Sequence, residues 1–87
     1  MTDQHLAQAA ELAPLIERVH GERHPELTRV RELTLALQQS DGSTPATELF
    51  TQLRAVTENY AIPEDACEAF EATYQALARA DQQHALA

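Results

Sequence analysis

With 87 residues, 44% of them apolar, the chain has room for one domain and a modest core, since it holds two Tyr, two Phe and no Trp. Its formal net charge is −8, from fourteen acidic residues against six basic ones. That balance excludes a nucleic-acid ligand, which needs a cationic surface, and equally disfavours docking on an anionic membrane. Cys67 is the only cysteine, no apolar run approaches the roughly 18 residues of a membrane span, and the first residues lack the basic and apolar regions of a signal peptide. The expected location is the cytoplasm.

Gly occurs only at Gly21 and Gly42, and Pro at Pro14, Pro25, Pro45 and Pro63. Glycine just past a helix and proline just inside the next is the usual asymmetry of helix ends, and it divides the chain into four segments. A first helix is expected from Thr2 or Asp3 to His20. Leu6, Ala9, Ala13, Ile16 and His20 would lie inward, and Leu12 and Val19 would broaden the stripe. Gly21 fits a left-handed position after the helix. Pro14 predicts a kink, or a start nearer Ala13.

A second helix should begin at Pro25 with His24 as its cap, bury Leu27, Val30, Leu33, Thr34 and Leu37, and end near Gln39. Ser40-Asp41-Gly42-Ser43 is turn chemistry. Thr44 and Pro45 read as cap and first residue of a third helix, with Ala46, Leu49, Phe50, Leu53, Val56 and Tyr60 inward. Ala61-Ile62 breaks it. A fourth helix is expected from Pro63, with Cys67, Phe70, Tyr74 and Leu77 inward and the stripe running on to Asp81 and His84. No segment alternates with the period of a strand. The sequence therefore predicts an all-α fold, a short four-helix up-down-up-down bundle with helices at about 3–20, 25–39, 45–60 and 63–85 in a single domain over 1–87.

Few residues offer chemistry. A di-iron bundle needs His-x-x-x-Glu or Glu-x-x-His on facing helices, and no facing pair of such motifs occurs. His20 and His24 are four apart, with Glu22 and Glu26 in reach. They read as cap and loop hydrogen bonding or as half a metal site. Asp81 and His84 read as a fraying helix end or as a metal pair. Cys67 reads as core packing or, at a helix start, as a redox thiol, although Glu64, Asp65 and Glu68 oppose a thiolate there. There is no phosphate loop and no Ser/His/Asp arrangement, so an enzyme is not expected.

Two stretches carry a resemblance. Val19-His20-Gly21-Glu22-Arg23-His24-Pro25-Glu26-Leu27 resembles the junction between the first two helices of the hemerythrin-like domain in the iron–sulfur cluster repair di-iron family. Leu53-Arg54-Ala55-Val56-Thr57-Glu58-Asn59-Tyr60-Ala61-Ile62-Pro63-Glu64-Asp65-Ala66-Cys67 resembles the junction between its third and fourth helices, and Phe70, Tyr74 and Leu77 continue it. The resemblance implies a hemerythrin-like bundle and a tie to repair of iron–sulfur clusters under nitrosative or oxidative stress. It also implies a loss. The family's ligands fall where this chain has Gln38 to Gly42, Ser43 and Thr44, and little beyond His84; only His5 could stand in for the N-terminal histidine.

The expected function is that of a metal-free, hemerythrin-like remnant with no cofactor, acting through contact with a protein partner or as a homodimer. The alternative is a protein binding iron or zinc through His20, His24, Glu26, Asp81 and His84, with a site shared across a dimer.

Overall fold

The computed structural model describes residues 4–39 and 45–86. The start at Thr2 or Asp3, the turn at Ser40-Asp41-Gly42-Ser43 and the cap at Thr44 lie outside the described residues.

The first helix, α1 (Gln4–His20), runs without interruption through Pro14. The later start near Ala13 is not found, and Pro14 sits on the solvent side of the continuous helix. Ala9, Ala10, Ala13 and Ile16 are buried, and three of these four are alanines, which let a neighbouring helix approach closely. Gly21 ends the helix, but not through a left-handed φ. A Cβ there would collide with the Glu17 carbonyl, which accepts the Gly21 N–H at 2.8 Å.

The second helix, α2 (Glu26–Gln39), buries Leu27, Val30, Leu33, Thr34 and Leu37, the stripe expected from its period. Thr34 tolerates the core because its hydroxyl donates to the Val30 carbonyl at 2.7 Å, and Thr57 and Thr73 do the same to Leu53 and Ala69. Among the described residues, no buried side-chain nitrogen or oxygen lacks a partner.

The third helix, α3 (Ala46–Thr57), starts after Pro45, whose extended backbone caps it without a side-chain bond. It ends three residues before the expected Tyr60. Glu58, Asn59 and Tyr60 all take positive φ (55°, 62° and 63°), a left-handed run that the helix cannot enter. Thr57 closes this turn: its hydroxyl oxygen accepts the Tyr60 N–H at 2.9 Å. The fourth helix, α4 (Glu68–Leu86), begins five residues later than the Pro63 expected, because Pro63–Asp65 forms a turn of its own with Ala66 N–H on the Pro63 carbonyl at 3.2 Å.

Cross-chain bonds fix the directions. Glu17 near the end of α1 bonds Arg31 of α2, Arg29 near the start of α2 bonds Gln52 of α3, Thr47–His84 and Arg54–Asp81 run in opposite order along α3 and α4, and His20 at the end of α1 meets Cys67 just before α4. The helix α1 packs on α2 and α4, and α2 packs on α3, so the order is that of an up-down-up-down bundle. One core of Ile16, Leu27, Leu33, Leu53, Phe70 and Leu77, with smaller neighbours, runs through it. The α3–α4 seam is the most open of the four and is crossed mainly by long side chains. Among the described residues, no helix is long and apolar enough to cross a membrane.

Candidate functional site

At one end of the bundle the α1–α2 turn meets the segment that joins α3 to α4. His24 ties them together. Its Nδ1 lies 3.0 Å from Glu26 Oε2, and its Nε2 lies 3.0 Å from both carboxylate oxygens of Asp65. A ring with a carboxylate at each nitrogen needs a hydrogen on both, so it is an imidazolium that donates twice. The hydrogen bond to Asp65 raises the His24 pKa most; burial opposes it, and the bond to Glu26 adds a smaller upward effect. In return the His24 bond lowers the Asp65 pKa. His24 is thus a charged staple between two segments 41 residues apart in sequence. Its carbonyl also accepts the Leu27 N–H at 3.0 Å, so the backbone, not the side chain, starts α2.

Beneath the staple lies Phe70, wholly buried, with the rings of His20 and His24 both standing edge-on at 5.3 Å and Tyr74 at 4.9 Å. Burial raises the Tyr74 pKa well above its ordinary value. A cleft of about 570 Å³ opens beside this cluster, lined by Glu26, Glu58, Ile62, Pro63 and Glu64 among others. Three carboxylates line it together with His24, whose charge is already held between Glu26 and Asp65.

Cys67 does not point inward. Because α4 starts at Glu68, Cys67 becomes its cap, exposed, with its carbonyl accepting the Glu71 N–H at 3.0 Å. Its Sγ lies 3.2 Å from His20 Nε2. The imidazole could take the thiol proton, but Asp65, the nearby carboxylate, is committed to His24 and does not orient His20. Among the described residues the pair is a surface contact without a third member.

Asp81 and His84 sit away from this end. Asp81 is nearly buried and accepts from Arg54 Nε at 2.7 Å, Arg54 Nη2 at 3.3 Å and the Tyr60 hydroxyl at 2.8 Å. Burial first, then the Asp81 carboxylate, keeps Tyr60 protonated far above its ordinary range. His84 is not a loose end: its ring stacks at 5.2 Å on Phe50, and its Nε2 lies 3.0 Å from Thr47 Oγ1.

The metal expectation can be tested on these donors. Both nitrogens of His24 face carboxylates, and Asp81 is filled by a guanidinium and a phenol. Among the described residues, no three of His, Cys, Asp and Glu converge on a point. His20, His24 and Glu26 are brought together, Asp81 and His84 are elsewhere, and the set does not fit a di-iron centre.

One surface was missed by the sequence reading. Val19, expected to broaden the inner stripe of α1, is 72% exposed, and Leu15 is 48% exposed. With Leu12, half-buried, they follow the helix period along a flank of α1 that adjoins the buried stripe of Ala9, Ala13 and Ile16. The signal was present, since spacings of three and four join Leu12, Leu15 and Val19. The α1 helix has enough apolar residues for a second, adjoining stripe, and the period does not say which one faces in. Comparison with protein-family models, with curated proteins and with solved structures finds no match to this chain.

Proposed function

We propose that this chain is a metal-free helical-bundle module that acts by contact with protein, through the outer face of α1. The observation that carries this reading is the pair Leu15 and Val19, one turn apart and turned to solvent on a flank of α1 beside its buried stripe. Exposed aliphatic side chains on one face are a common mark of a contact surface. The polar groups support the same reading. His24, Asp65, Asp81, Arg54 and Tyr60 are spent on one another, holding helix ends and linkers in place. Such closed clusters stabilise a scaffold and leave no group poised toward a substrate.

The proposal includes descent from the iron–sulfur cluster repair family. Its support is that the two resembling stretches, Val19 to Leu27 and Leu53 to Cys67, meet through His20–Cys67 and His24–Asp65. A bundle that kept this end and lost its ligands elsewhere would retain shape without iron.

A photo-crosslinking residue in place of Leu15, introduced in the native host, tests the contact. The control position is Glu48, which is exposed on α3, diagonally across the bundle. Protein adducts several-fold more abundant from position 15 are expected. Equal yields from the two positions, or stoichiometric metal in the natively purified chain that is lost on His20→Ala, would refute the reading.

A further inference from the structure

We infer that the partner seated on the outer face of α1 is a second copy of the chain, with the two α1 helices packed antiparallel. The inference rests on the reading of that face as a contact surface and names its occupant.

Gln8, Leu12, Leu15 and Val19 are separated by four, three and four residues, the alternation of a helix–helix seam. Glu11 and Arg18 lie seven residues apart, on the same flank of that seam. Both are exposed, and neither has an ion-pair partner among the described residues. A two-fold axis between Leu12 and Leu15 sets Leu12 against the partner's Leu15, and Gln8 against the partner's Val19. The same axis carries Glu11 to within about two residues, or ~3 Å along the helix, of the partner's Arg18, and symmetry repeats the pair. In a parallel two-fold pair the two copies of this flank lie on opposite sides of the seam, so Glu11 and Arg18 would not meet. The face is therefore self-complementary in one orientation only.

Size sets the strength. A 17-residue helix is about 25 Å long, and one helix pair of that length buries less than the roughly 1,200–2,000 Å² of a stable interface. With −8 on each copy adding repulsion, the dimer is weak and concentration-dependent.

Sedimentation equilibrium from micromolar to millimolar concentration tests this with the full chain, L15E, E11R, R18E and the double swap E11R/R18E, each checked for helicity. All substituted positions are exposed, so the fold should persist. The wild type should show a monomer–dimer equilibrium. L15E should weaken it at least tenfold, each single swap several-fold, and the double swap should regain most of the wild-type affinity. A wild type that is monomeric throughout, an L15E that dimerises as well as wild type, or a double swap no better than its singles would overturn the inference. If the wild type is monomeric but position 15 crosslinks to a different protein, only the second copy falls. If position 15 gives no excess of adducts, the contact surface falls with it.

Discussion

Tyr60→Phe removes one oxygen and leaves the ring where it is. The phenol donates to Asp81 at 2.8 Å, and Asp81 is 8% exposed, so the lost bond is one to a charged, nearly buried acceptor. Such bonds contribute about 1.5–3 kcal/mol. Asp81 keeps both contacts from Arg54, so its carboxylate is not stranded, and the low end of that range applies. A loss of about 1.5 kcal/mol in a domain of this size corresponds to a fall in Tm of roughly 6–12 °C. Thermal unfolding followed by circular dichroism measures it. The same substitution made on an Asp81→Asn background should have a clearly smaller effect, because the acceptor has lost its charge. A Tm change under about 2 °C, or an equal loss on both backgrounds, would show that the Tyr60–Asp81 bond does not fasten the linker to α4.

Two further predictions concern the junction end. The His24 pKa is raised in the folded state, so its contribution is complete below imidazole's ordinary value of about 6.5 and fades as pH climbs through the raised value. The Asp65 pKa is lowered, so its contribution is complete above the ordinary carboxylate value of about 4 and fades as pH falls through the lowered one. The stability difference between wild type and His24→Gln, from urea titrations, should therefore be greatest at weakly acid pH and smaller at pH values well above 7. A difference that does not vary with pH would contradict the staple. Glu58→Gly should stabilise: left-handed backbone costs a non-glycine residue about 1–2 kcal/mol, and glycine's extra unfolded-state freedom takes back about 0.5–1, leaving a gain of roughly 0.5–1 kcal/mol. An unchanged or lower urea midpoint would count against strain at that turn.

The fold was legible where one signal acted alone. In α2 the only apolar stripe is the buried one, and all five of its residues were readable from period. In α1 the surplus of apolar residues hid the orientation, so Val19 was placed inward. The α3–α4 segment failed for a different reason. Three successive left-handed residues usually need glycine or asparagine, and only Asn59 hints at them, so Tyr60 read as helix and Cys67 as core. The histidine pair was legible as a loop feature, but the partner that gives His24 its charge comes from the far side of the sequence, where no local pattern points to it. Asp81 was readable as inward-facing, whereas its binding to Tyr60 depends on a turn that the period did not predict.

The open seam between α3 and α4 has a mechanical consequence. Elsewhere, neighbouring helices interlock through small and branched side chains, and parting them uncovers oil to water. Along this line Arg54, Tyr60 and His84 reach across as separate fasteners, and each can be replaced by water at its outer end. The molecule is thus a row of four rods, α3 on α2, α2 on α1 and α1 on α4, whose two outer members are joined to each other by clips, and agitation opens that joint before the greased ones.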